Sequence, residues 1–207
     1  MGLCRINNRR DIHRITASQV FQINPEDVLP EQRRVAKAVN FGIVYGISAY
    51  GLSQDLNIGI KEAELYIDGY FLKYPKVKEY MERTTAKAKK DGYVSTLFNR
   101  RRTVPELASL SHSTRAFGDR VAMNTPIQGT AADIIKIAMV NTAKRLKTEG
   151  LNSKLILQVH DELLLEVELN EQDSVRTLLK EEMENAAVLS VPLEADLHEG
   201  TTWYDAK

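Results

Sequence analysis

The sequence predicts a helix-rich α+β fold with a small antiparallel sheet. Three observations carry that expectation. Most of the first 150 residues show helical spacing of apolar positions, broken by Pro and Gly signals. Two short apolar runs, Leu155–Val159 and Leu163–Val167, follow with only His160-Asp161-Glu162 between them. A further helical pattern and a last extended stretch then close the chain, so helices precede and flank the strands rather than alternating with them.

The elements follow in order. Residues 1–10 show no periodicity and predict a disordered lead-in. Residues 11–22 (DIHRITASQVFQ) predict a short helix, and Asn24-Pro25 and Leu29-Pro30 mark turns. A helix is expected from Glu31 to about Tyr45. Gly46, Gly51 and Gly59 punctuate the stretch after it. Residues 61–72 and 75–90 predict two amphipathic helices, the second opened by Pro75 and closed at Asp91-Gly92. Residues 93–98 (YVSTLF) predict a strand, followed by Arg100-Arg101-Arg102. A long helical stretch covers 112–148, with Pro126 and Gly129 expected to interrupt it and Gly150 to close it. The hairpin comes next, with an acidic tip at His160-Asp161-Glu162. A helix over 171–187 and a strand over 191–197 complete the expectation.

Composition narrows the function classes. The 207 residues are 43% hydrophobic and 27% charged, which fits a globular chain. No run of eighteen apolar residues spans a membrane, and the first ten residues carry no secretory pattern. Cys4 is the only cysteine, which excludes an internal disulfide and a cysteine zinc cluster and fits a reducing cytoplasm. Net charge is zero but unevenly spread: residues 1–102 hold 18 Lys+Arg against 11 Asp+Glu, and residues 103–207 hold 10 against 17. That asymmetry suits a basic surface for phosphates beside an acidic region for metal ions, and equally two ordinary solvated surfaces.

The segment RRVAKAVNFGIVYG, residues 33–46, concentrates chemistry. Arg33, Lys37, Phe41 and Tyr45 recur every four residues, so they share one broad helix face with a drift of about 40° per step. The face runs from cationic to aromatic, with about 6 Å of axial rise between Lys37 and Phe41. A nucleoside triphosphate has the matching order, a polyanion at one end and a flat base at the other. On spacing alone the pattern also fits a surface helix with snorkelling cations and core aromatics. At the hairpin, Asp161 is a carboxylate held on a tight turn, the kind of ligand Mg²⁺ takes while keeping much of its water. An acidic turn also fits a solvated hairpin tip, and a zinc site from three consecutive residues is disfavoured because they rarely converge on one ion.

These strings together resemble the family A DNA polymerases, in their bacterial branch. Arg33, Lys37, Phe41, Tyr45 and Gly46 match the pattern R-x3-K-x3-F-x3-Y-G, motif B of that family. Val159-His160-Asp161-Glu162 is similar to its motif C, V-H-D-E. DIHRITASQVF and TPIQGTAADIIKIAM (residues 125–139) match further stretches, and VPLEADLHEGTTWYDAK fits the tail. The resemblance covers residues 11–207. It implies a fingers subdomain over 11–110 and the C-terminal part of a palm subdomain over 111–207, an incomplete right-hand polymerase fold.

The resemblance also implies an enzyme, a DNA-directed DNA polymerase (a nucleotidyltransferase) of replication and repair that adds deoxynucleotides to a primer 3′ end. The expected catalytic residues are Asp161, Glu162 and Lys37, with Asp161 the metal ligand for Mg²⁺, two ions serving the intact enzyme. His13, Arg33, Lys37, Phe41 and Tyr45 are the expected nucleotide-binding residues: Arg33 and Lys37 on the phosphates, Phe41 over base and sugar, Tyr45 near the template. Arg120, Asn124, Gln128 and His160 are expected on DNA, the first three four apart on one helix face, where the minor groove offers acceptors common to all base pairs. Arg100-Arg101-Arg102 is expected to meet backbone phosphate or to join palm to fingers. The implied partners are primer–template DNA and deoxynucleoside triphosphates, without a membrane, in the bacterial cytoplasm at the nucleoid.

One family element is not found. The motif D-Y-S-x-x-E-L-R, whose Asp supplies the other shared metal ligand, is expected upstream of Asp11, where these residues read only MGLCRINNRR. The metal site is therefore expected to be incomplete and the 207 residues by themselves inactive, since loss of such electrostatic preorganisation commonly costs several kcal/mol of barrier. The alternatives to a polymerase are a catalytically inactive nucleotide- or DNA-binding fragment and a module that completes a split polymerase by joining a separate palm and thumb.

Overall fold

The computed structural model describes residues 11–206. The expected lead-in, residues 1–10, lies outside them. The described residues divide into two compact units, 11–129 and 130–206.

The first unit is helical. α1 (Ile12–Val20) is capped by Asp11, whose Oδ1 accepts from the backbone N–H of His13 at 3.0 Å and of Arg14 at 3.3 Å. α2 (Pro30–Val44) starts with Pro at its first position, where no hydrogen-bond donor is needed, and the Gln32 side chain accepts from the Leu29 N–H at 2.9 Å. It buries Ala36, Val39 and Ile43 and leaves Lys37, Phe41 and Tyr45 exposed, so the expected open face is real. Its end is a Schellman motif. Ile47 N–H donates to Gly42 O at 2.8 Å, Gly46 N–H donates to Ile43 O at 2.9 Å, and Gly46 takes φ +72°.

α3 (Ala49–Leu56) is not expected from the sequence, because the glycines around it read as punctuation. Ser48 caps it by accepting from Gly51 N–H at 3.1 Å, and Leu52 and Leu56 join the core of Val39, Ile43, Ala63 and Tyr70. Burial of those leucines outweighs the weak helix propensity of Gly51. α4 (Ile60–Lys73) and α5 (Pro75–Asp91) match expectation, with Gly92 at φ +75° ending α5. The expected strand over 93–98 is shorter. β1 (Tyr93–Ser95) pairs antiparallel with β2 (Arg101–Thr103), so Arg101 and Arg102 lie on a strand and residues 96–100 form the turn.

α6 (His112–Thr148) is continuous, and neither Pro126 nor Gly129 interrupts it. Proline in a helix interior costs about 3 kcal/mol. Burial of Val121 and Ala122 before it and Ile135 and Ala138 after it holds both sides helical. Gly118 lets α6 approach the 105–108 turn: an added Cβ would lie 3.0 Å from Leu107 N.

In the second unit, β3 (Lys154–Val159) pairs antiparallel with β4 (Glu162–Glu166), with a register shift between Leu155 and Leu157. Glu162 pairs with Val159 and so belongs to the strand; His160 and Asp161 alone make the turn. α7 (Gln172–Glu184) is shorter than the expected 171–187 and buries Val175, Leu178, Leu179 and Met183. The expected strand over 191–197 does not form. Pro192 lacks a donor, and Ala195 N–H donates to the Glu184 side chain at 3.1 Å instead of to a strand. The apolar spacing there is genuine, since Ala195 and Leu197 pack against the core around Ile135 and Leu163. Glu171 accepts from the N–H groups of Asn152 and Ser153, both at 2.9 Å, and from Ser153 Oγ at 2.6 Å. Those bonds fasten the entry to β3 onto the start of α7. Among the described residues no helix is long and apolar enough to cross a membrane.

Candidate active site

The first unit gathers one constellation on α1 and α2. Arg33, Lys37, Phe41 and Tyr45 line the open face of α2, and the Phe41 and Tyr45 rings stack with centroids 6.2 Å apart and planes 18° apart. His13 comes from α1, its ring 5.6 Å from that of Phe41. The five expected nucleotide-binding residues therefore lie together.

Two neighbours that the sequence does not single out hold this group. Asp11 Oδ2 accepts from Arg33 Nε at 2.5 Å. Asn40 Nδ2 lies 3.0 Å from His13 Nδ1 and donates to Thr16 Oγ1 at 3.1 Å. In the sequence Asp11 only opens the DIHRITASQVF stretch, and Asn40 is one polar residue in an apolar stretch. Arg34 is turned away into an ion pair with Glu31.

The electrostatics follow from these contacts. Burial alone would raise the Asp11 carboxyl, but the bonds from Arg33 and from the Arg14 and His13 N–H groups outweigh it and hold the carboxyl below its ordinary value. Burial holds the His13 imidazole below its ordinary value, and the Arg33 and Lys37 charges add to that against the opposing pull of Asp11.

Arg120, Asn124 and Gln128 follow one another along α6 in the same unit. Arg120 and Gln128 are exposed, and Arg120 lies over the Phe117 ring at 5.9 Å. Asn124 Oδ1 is buried without a hydrogen-bond partner. The Arg120 stem passes beside the end of α2, since an added Cβ on Gly46 would lie 3.1 Å from Arg120 Cγ. Arg101 stacks on Tyr93 at 4.7 Å, and Arg102 donates to Thr125 Oγ1 at 3.4 Å. Those two arginines are thereby tied to their own hairpin and to α6.

The second unit carries the acidic group. His160 takes φ +52°, which the two-residue turn requires, and the Gln158 amide donates to the His160 carbonyl at 2.7 Å. His160 and Asp161 are exposed and Glu162 is half-buried. The donor set suits a hard, oxygen-seeking cation: Asp161 offers a carboxylate on a fixed turn, with Glu162 next to it. Among the described residues no group of three His, Cys, Asp or Glu side chains gathers as a metal cluster.

The cationic and aromatic helix face thus lies in one unit, and the hairpin turn with its carboxylate in the other. The model of DNA polymerase family A matches residues 3–205, and the chain belongs to that family. It is 55% identical over 197 residues to DNA polymerase I of Bacillus caldotenax, covering 95% of this chain and 22% of that protein. It is 52% identical over 200 residues to DNA polymerase I of Caldicellulosiruptor bescii, covering 97% and 24%. Among solved structures it resembles the POL domain of Pol1 from M. smegmatis in complex with DNA primer-template and dNTP, with a TM-score of 0.91 and 45% identity, covering 95% of this chain and 35% of that one. The chain thus spans less than a quarter of the length of those two DNA polymerases I.

Proposed function

We propose that this chain supplies the incoming-nucleotide site and one catalytic carboxylate of a DNA-directed DNA polymerase. The observation that carries the reading is the open α2 face with its order of Arg33, Lys37, Phe41 and Tyr45, flanked by His13. Arg33 and Lys37 bind the triphosphate, and Lys37 adds a point charge where the leaving phosphates gain negative charge. Phe41 packs on base and sugar, and Tyr45 borders the template position. Residues 11–110 act as fingers and 111–207 as the later part of a palm. Arg120, Asn124 and Gln128 meet primer–template DNA, and His160 lies at the primer end. The chain works in the bacterial cytoplasm, at the nucleoid, where its DNA partner lies.

Asp161 would hold Mg²⁺, with Glu162 as an accessory carboxylate. When bound, the metal ions supply charge neutralisation and alignment for in-line phosphoryl transfer. A second reading, binding without catalysis by these 207 residues alone, is favoured by the donor set. Asp161 and Glu162 are adjacent in sequence, and no third acid joins them among the described residues. Turnover would then need a second catalytic carboxylate from outside these residues.

The test is a chimera in which this chain replaces the matching stretch of the Bacillus caldotenax enzyme, assayed for primer extension with Mg²⁺ and four deoxynucleotides. Extension that Asp161→Ala abolishes supports the proposal. A folded chimera that binds primer–template but does not extend it refutes it.

A further inference from the structure

We infer that Asp11 is a positioning residue for triphosphate binding, acting through Arg33; the inference rests on the reading of the α2 face given above. The two carboxylate oxygens of Asp11 divide the work. Oδ1 accepts from the His13 and Arg14 N–H groups and so is fixed to the first turn of α1. Oδ2 accepts from Arg33 Nε at 2.5 Å. That bond uses the one guanidinium nitrogen that lies on the side-chain stem. Among the described residues Arg33 makes no hydrogen bond through Nη1 or Nη2, and 42% of its side chain is exposed. Among the described residues, the outer edge of the fork, the part that grips a phosphate through two parallel bonds, is left open while the stem is held.

Arginine has many rotamers, and an unanchored side chain loses that freedom on gripping a ligand. Anchoring Nε before the ligand arrives removes much of that loss, the same advantage as any preorganised site. The same carboxylate also fixes the start of the helix that brings His13 to Phe41. One residue therefore ties the phosphate end of the α2 face to the helix that carries His13. A carboxylate near a triphosphate also repels it, so the sign of its effect is a genuine test.

The experiment measures binding of a fluorescent N-methylanthraniloyl-dATP to the 207-residue chain by anisotropy, in a double-mutant cycle of wild type, Asp11→Asn, Arg33→Ala and the pair. Asparagine caps helices as well as aspartate does, so α1 is kept while the bond to Arg33 Nε is weakened. Asp11→Asn is expected to weaken binding roughly three- to tenfold, and to add little in the Arg33→Ala background, as coupled neighbours do. A merely structural role would lower the melting temperature and weaken binding equally in both backgrounds. Unchanged or tighter binding by Asp11→Asn, or equal losses in the two backgrounds, overturns the inference while leaving the α2 reading in place. Wild-type protein that binds no probe, or binding that Arg33→Ala leaves untouched, overturns that reading and the inference together.

Discussion

Replacing Gly46 with alanine tests how the α2 face is terminated. Gly46 sits at φ +72° in the Schellman turn, with Ile47 folded back over Gly42. A left-handed backbone costs a non-glycine residue about 1–2 kcal/mol. The new methyl would also lie 2.5 Å from Met123 Cε and 3.1 Å from Arg120 Cγ. Met123 Cε is the end of a flexible chain and yields cheaply. The Arg120 stem yields less, so the total is about 2 kcal/mol, toward the lower end of strain plus overpacking. At about 2–4 °C per kcal/mol for a chain of this size, the melting temperature should fall by about 4–8 °C. Gly46→Asn should fall less, because asparagine tolerates that backbone. Thermal denaturation followed by circular dichroism reads both variants. A melting temperature that stays level or rises in Gly46→Ala would refute the argument, since alanine by itself stabilises only by restricting the unfolded chain.

The remaining predictions concern both units. Leu178→Ala empties a fully buried site on α7 and should cost about 2–5 kcal/mol in urea denaturation; a loss near zero would mean α7 does not pack as described. The Glu171 carboxyl is held below its ordinary value chiefly by the Asn152 N–H and the Ser153 hydroxyl. A depressed carboxyl stabilises the fold fully above its unfolded value of 4.5, and that contribution is lost as pH falls through the lower folded value. The stability gap between wild type and Glu171→Gln should therefore close on acidification from about pH 7 to about pH 3, and a gap that stays constant would count against a charged Glu171. Arg33→Ala or Lys37→Ala should weaken triphosphate binding far more than base selectivity, and equal loss in both would count against their phosphate roles.

Legibility in the sequence tracks the range of the forces involved. The α2 face is readable because helical periodicity is local and four side chains repeat it. The β3–β4 hairpin is readable from two apolar runs and a polar turn, to within a residue or two. α3 is hidden because Gly51 argues locally against a helix, and only Leu52 and Leu56 entering the core of α2 and α4 decide for one. The last strand fails for the converse reason: its apolar alternation is local, but a strand also needs a partner, and the Ala195 N–H finds the Glu184 side chain. Pro126 reads as an interruption because its local cost is plain and the packing on either side of it is not. Asp11 and Asn40 escape because their roles are contacts across 22 and 27 residues of sequence.

The central claim is that a nucleoside triphosphate lies along α2 with its phosphates at the amino-terminal end. The most direct measurement is a titration of the ¹⁵N-labelled chain with dATP and, separately, with deoxyadenosine, followed by ¹H–¹⁵N NMR. The account predicts that both ligands shift signals around Phe41 and Tyr45, and that only the triphosphate shifts those of Arg33 and Lys37. Shifts confined to other elements, or the same response of Arg33 and Lys37 to the nucleoside lacking phosphates, would contradict it.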